Sequence, residues 1–187
     1  MHHSSLSVVF VLSLSCVVAS CSSTDPVTPA VDGGPVTESG ADTAVACTAY
    51  APPAGFDATM PAVSFKMNVM GLFANSCSFS SCHGAPSSSK GGLFLGAPTA
   101  GGADAPMVHK NLVGVAAGSI PSMPFVTAKD PTKSYLMHKM DGDQCTLEAM
   151  CKKPEGCEGS MPQGSDVLPV ASRDIVRRWI AQGALDN

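Results

Sequence analysis

The chain has 187 residues and a net charge of about −4. That is room for one small domain with appended segments, and it argues against nucleic-acid binding, which calls for a basic surface. Charged residues make up 14% and aromatic residues 5%, with one Trp, two Tyr and seven Phe, so the chain has few large rings with which to fill a core. Eight cysteines are many for a reducing compartment and ordinary for an exported chain.

Leu6 to Val18 is an apolar run broken by serines. It is too short to span a bilayer as a helix and long enough for the core of a signal peptide. It ends on Val18-Ala19-Ser20-Cys21, an aliphatic residue, two small residues and a cysteine, which resembles the lipobox of bacterial lipoproteins. The expectation is a lipoprotein signal peptide over residues 1–20 and an acylated Cys21 as the first residue of the mature chain. The protein is then exported and held by its lipid on the periplasmic or cell-surface side, with the outer membrane as the expected site. The plainer reading is an ordinary signal peptide with a chance cysteine. Cys16 falls in the discarded segment.

Residues 21–55 are rich in Ser, Thr, Pro, Gly, Ala and Asp and show no apolar periodicity. They are expected to form a flexible, disordered tether, because they cannot bury enough surface to offset the entropy of ordering. Cys47, near the end of the tether, is expected to form a disulfide with the folded domain.

The domain is assigned to residues 56–187, enough for one small core. Ala62 to Phe65 reads as extended. Asn68 is a candidate cap for a short helix with Val69, Leu72 and Phe73 on one face. That helix delivers the chain to Cys77-Ser78-Phe79-Ser80-Ser81-Cys82-His83-Gly84. A glycine-bracketed apolar segment, Leu93 to Leu95, follows. A helix is predicted over Met107–Val115, with Val108, Leu112 and Val115 inward. Ile120 to Pro124 is not helical, because two prolines interrupt it. Asp130-Pro131 reads as a cap and first helical position, opening a helix that carries Leu136 and Met140 and stops near Gly142. Cys145, Cys151 and Cys157 follow in a polar loop, then Ser160-Met161-Pro162. Ser172 is the expected cap of a last helix, with Asp174 at its positive end, Ile175, Val176, Trp179 and Ile180 inward and Gly183 at its close. The prediction is an all-α domain of short helices joined by long loops. Loops of that length call for something that ties them down.

Two thiols with a histidine directly after the second are the elements of c-type haem attachment. Each thiol bonds a vinyl group of the porphyrin and the histidine binds iron. Cys82 and His83 meet that demand directly. The usual spacer has two residues; here Phe79 stands where the first cysteine would be, and Cys77 must reach across four. A covalent haem c would also supply the apolar surface that the side chains lack. The sixth iron ligand must come from elsewhere: Met161 first, Met123 second, and His109 or His138 third. The bland reading of any methionine is core packing, and that of the two histidines is a solvent-facing helix position. Cys47, Cys145, Cys151 and Cys157 allow three disulfide pairings. A zinc site built from Cys145, Cys151 and Cys157 is disfavoured by their spacing and by export. The sequence carries no phosphate loop, nucleophile elbow or metalloprotease helix, so a non-enzymatic protein is expected.

Phe65, Val69, Leu72 and Phe73 leading to Cys77-x-x-x-x-Cys82-His83-Gly84 resemble the opening of small bacterial cytochrome c domains. Gly92-Leu93-x-Leu95, Asn111-Leu112-Val113-Gly114 and Asp130-Pro131-x-x-Ser134-Tyr135-Leu136-x-x-Lys139-Met140 continue the likeness in order. Met161-Pro162-x-Gly164 and Ile175-Val176-Arg177-Arg178-Trp179-Ile180-x-x-Gly183-Ala184 close it. Over residues 63–185 the chain resembles the cytochrome c-like domains of planctomycete and myxobacterial lipoproteins. The resemblance implies an all-helical cytochrome c fold, thioethers at Cys77 and Cys82, His83 as proximal ligand and Met161 as distal ligand. It also implies electron transfer with partner redox proteins. The alternative is a haemless surface lipoprotein in which Cys77 joins Cys82 and the six cysteines from Cys47 to Cys157 make three disulfides.

Overall fold

A computed structural model describes residues 47–87, 89–99 and 102–187. The expected signal peptide, Cys21 and most of the expected tether lie outside the described residues. Among the described residues there are four α-helices: α1 (Met70–Ser76), α2 (Ala105–Leu112), α3 (Tyr135–Asp141) and α4 (Val170–Ala181). A π-helical turn, Phe65–Val69, leads into α1, and 3-10 turns occupy Lys90–Gly92, Pro131–Lys133 and Gln144–Met150. The described residues form no strand, only isolated bridges from Val113 to Val126 and from Ala116 to Pro124. The domain is all-α. None of these helices is long and apolar enough to cross a membrane.

The first helical segment begins earlier than its periodicity suggests. Phe65 lies inside it, and Ser64, not Asn68, is its cap: the Ser64 hydroxyl accepts from Met67 N–H, and Asn68 Oδ1 accepts from Ser64 N–H in return. This reciprocal arrangement satisfies two donors that a helix start leaves open. α4 likewise starts at Val170, two residues before the expected cap Ser172. Asp174 therefore sits past the first turn, where it pairs with Arg177 (3.2 Å) and not with the helix dipole. Asp130 caps the 3-10 turn through the N–H groups of Thr132 and Lys133; the chain then breaks at Ser134 before α3 begins. Gly142 ends α3 in the left-handed conformation (φ 78°).

Phe65 and Trp179 stack with ring centroids 4.8 Å apart. Val69, Phe73, Val108, Leu112, Ile120, Met137, Val176 and Ile180 surround them, each at most 1% exposed. The chain end is tied to the start of the domain: Lys66 N–H donates to Asn187 O (2.9 Å) and Phe65 N–H to Asn187 Oδ1 (2.8 Å).

α3 and α4 are joined by a buried ion cluster. Asp141 accepts from Arg173 Nη1 (2.6 Å) and, at both carboxylate oxygens, from Arg177 (2.7 and 3.0 Å). These three side chains are between 5% and 7% exposed. The Tyr50 ring lies against both guanidinium groups, at 4.5 and 4.6 Å, and Tyr50 N–H donates to Asp143 (2.8 Å). Cys47 is bonded to Cys145, so residues 47–50, assigned from sequence to the tether, are fixed to the domain.

Removing one member of a buried ion cluster strands its partners. Asp141→Ala is expected to lower unfolding free energy by about 3–5 kcal/mol in urea titration; a loss below about 1 kcal/mol would mark the cluster as no stronger than a surface pair. His138 lies between Asp143 (2.8 Å) and Thr132 O (3.0 Å). The Asp143 bond, helped by the Thr132 carbonyl and opposed by burial, raises its pKa above the ordinary value. Its stabilisation is complete below the unfolded value of about 6.5 and fades as pH rises through the higher folded value. Stability should therefore fall more steeply between about pH 6 and 8 in the wild type than in His138→Gln. Equal slopes in thermal unfolding would contradict this.

Candidate functional site

α1 hands the chain into a tightly bonded loop. Cys77 and Ser78 N–H donate to Phe73 O (2.8 and 2.9 Å), Cys82 and Gly84 N–H to Phe79 O (2.8 and 3.0 Å), and His83 N–H to Cys77 O (3.2 Å). The buried Ser78 hydroxyl donates to Leu95 O (3.1 Å). Gly84 passes so close to Ser78 that a Cβ would fall 1.9 Å from the Ser78 carbonyl oxygen, and only glycine permits that approach. The four-residue spacer is thus taken up as a compact turn, and Phe79 points outward, 55% exposed.

The following segment runs back along the loop. Lys90 N–H donates to Cys82 O (3.0 Å) and Leu95 N–H to His83 O (2.9 Å). His83 Nδ1 lies 2.7 Å from Leu93 O. A carbonyl oxygen only accepts, so the proton is on Nδ1 and Nε2 keeps its lone pair. A metal-binding imidazole needs that tautomer, with its orientation fixed by a second bond. None of the described residues hydrogen-bonds Nε2. Burial lowers the His83 pKa, the Leu93 bond opposes it and the Lys139 charge adds to it. The ring is therefore neutral at pH 7, the form that ligates.

Cys77, His83 and Met161 line one cavity of about 400 Å³, a volume within the range of small-molecule and cofactor sites. Leu93, Leu95, Phe125, Leu136, Met140 and Leu168 give it apolar walls. Burial, with Cys82 adding to it, pushes the Cys77 thiol up to about 11, so it stays protonated at neutral pH, as suits an apolar wall. Met161 is fixed by its backbone: its N–H donates to Lys139 O in α3 (2.8 Å).

The other candidates lie elsewhere. Cys82 is half-exposed, with its sulfur 3.8 Å from the Ser81 hydroxyl, and it is outside the cavity lining. Met123 packs against the core, also outside that lining. His109 and His138 do not face solvent as expected. His109 Nε2 donates to Ala184 O (2.6 Å), and its ring meets Phe65 and Trp179 edge-on; His138 is held by Asp143 and Thr132. Both are half-buried parts of the frame and neither lines the cavity. Cys145, Cys151 and Cys157 are divided between two disulfides, Cys47–Cys145 and Cys151–Cys157, so no thiol trio remains for zinc. Cys77 and Cys82 are free thiols.

Tyr135 and Lys139 also line the cavity, and the residue chemistry alone gave them no role. Lys139 follows Leu136 by three positions and directly precedes Met140, so helical spacing sets it beside the buried face. That was the available signal, and its charge masked it. Comparison of the chain with protein-family models, with curated proteins and with solved structures returns no match.

Gly84→Ala is expected to cost about 3 kcal/mol of stability and to disturb the Cys77–His83 loop. Chemical denaturation and loss of amide protection at Ser78 and His83 are the measurements; an unchanged midpoint would mean that the loop relaxes freely.

Proposed function

We propose that the domain is a cytochrome c-like carrier of a single covalent haem c, held to a membrane through lipidated Cys21 and exchanging electrons with partner redox proteins. The observation that carries this reading is the convergence of a free thiol, an imidazole with an open Nε2 and a thioether on one apolar cavity. These are the donor types that a c-type haem takes. The aromatic-poor composition leaves that volume unfilled by the chain itself.

Cys77 and Cys82 would hold the porphyrin. Each thiol would hold the porphyrin as a thioether, Cys77 from the cavity wall and Cys82 from outside that lining. His83 Nε2 would be the proximal ligand, with its ring aimed by Leu93 O, and Met161 would be the distal one. The haem supplies a one-electron ferric/ferrous couple whose potential depends on ligands and burial. With both residues as ligands no position would be left open for a substrate, which favours electron transfer over catalysis. The rival is a haemless, disulfide-stapled surface lipoprotein. It needs a third disulfide between Cys77 and Cys82, whereas both are free while the other four described cysteines are paired.

Expression of the full chain with export and haem-maturation machinery should yield a coloured protein. Its reduced spectrum should show a sharp α band, and the haem should resist acid–acetone extraction. A colourless protein without free thiols would favour the rival. Met161→Ala should retain the covalent haem, lose the weak thioether-to-iron band in the near infrared and lower the reduction potential. If the band persists in Met161→Ala, another residue is the distal ligand.

A further inference from the structure

Lys139 is 7% exposed, and its ammonium is turned into the protein. Nζ donates to Cys157 O (2.8 Å) and to Gly159 O, while the Lys139 backbone carbonyl accepts Met161 N–H (2.8 Å). One residue of α3 thus grips the chain at positions 157, 159 and 161. The first of these is itself anchored. Cys157 is bonded to Cys151, its carbonyl also accepts from Tyr135 Oη (3.1 Å), and its N–H donates to Glu148 (3.0 Å). Burial lowers the Lys139 pKa, and Glu158 opposes that shift.

A buried ammonium costs several kcal/mol unless its donors are satisfied, and an apolar side chain would pack the same space without that penalty. Lys139 differs from an apolar residue in fixing two carbonyls of a segment that has no helical or strand bonding of its own. Two residues beyond the second carbonyl stands Met161 on the cavity wall.

We propose that Lys139 is the positioning residue of Met161: its ammonium locks the 157–159 segment onto α3 and so presents the Met161 thioether to the cavity. This rests on the haem reading above. A stapled segment holds the thioether in place against competing ligands, whereas a loose one lets them in.

The test uses the haem-loaded full chain and imidazole as competing ligand for the ferric iron. Lys139→Met keeps the apolar stem and removes the donors. It should retain covalent haem, weaken the near-infrared thioether band and bind imidazole at least tenfold more tightly than wild type. In a Met161→Ala background the same substitution should alter imidazole affinity by less than twofold, because nothing is left to position. An equal change in both backgrounds would reduce Lys139 to a general structural role and overturn the proposal, as would a change below twofold with Met161 present. If Lys139→Met does not accumulate folded protein, Lys139→Gln, whose shorter amide cannot hold both carbonyls, is read by the same two comparisons. A wild-type chain that carries no covalent haem would instead overturn the haem reading itself.

Discussion

Phe65 and Trp179 come from opposite ends of the domain, and their stacking constrains everything between them. Aromatic pairs of this kind contribute about 0.5–1.5 kcal/mol beyond the area they bury; the larger consequence is geometric. With Phe65 held against α4, the direction of α1 is set, and so is the point where the Cys77–His83 loop leaves it. His109 closes the pair edge-on and fastens α2 to Ala184. The hydrogen bonds from Phe65 and Lys66 to Asn187 keep the two ends from sliding. α4 then carries Arg173 and Arg177 to Asp141, which fixes α3. α3 in turn supplies Tyr135, Lys139 and Met140 to the cavity. The site therefore inherits its shape from one ring stack through two helix contacts.

The cavity follows from the same economy of rings. With Phe65, Phe73 and Trp179 committed to the stack and its surroundings, the space beside the Cys77–His83 loop takes its apolar walls from Leu and Met side chains and Phe125. A mostly apolar cleft of about 400 Å³ offers surface that an apolar ligand could bury. Several polar groups on the wall already have partners: Nδ1 of His83 with Leu93, the Tyr135 hydroxyl with Cys157, the Lys139 ammonium with two carbonyls. Among the groups still open to a ligand are Nε2 of His83, the Cys77 thiol and the Met161 sulfur, all soft or borderline donors.

Much of this was legible in the sequence because it depends on local rules. The stripe Val176, Trp179 and Ile180, the capping pair Asp130-Pro131 and the stop at Gly142 are set by neighbours within a turn or two of chain. The helix starts at Phe65 and Val170 were missed. At the first, Ser64 and Asn68 share the capping role, and either alone reads as a plausible cap. At the second, Pro169 takes the cap position while Ser172 offers the more familiar cap side chain. The Asp141–Arg173–Arg177 cluster was out of reach, since no local pattern tells an exposed charge from one buried by a helix 32 residues away. His109 and His138 show the same limit. Each looks like a solvent-facing helical residue until a distant carbonyl or carboxylate reaches it.

The Cys77–His83 loop reverses one expectation. By motif, Cys82 and His83 were the secure pair and Cys77 the weak member, because four residues separate the thiols. In the fold, Cys77 is the thiol that lines the cavity and Cys82 is the one outside it. The cause lies in the spacer. Phe79 O accepts from both Cys82 and Gly84, and Ser78 is locked under Leu95, so the extra residues coil on themselves and leave Cys77 at the helix end, facing the interior. The bonds from His83 to Leu93 and Leu95 hold the imidazole on the returning segment. Of the three side chains in this motif, that of the histidine is the one bonded to the returning segment, at Leu93 O, so its ring is aimed by something other than the coil that places the thiols.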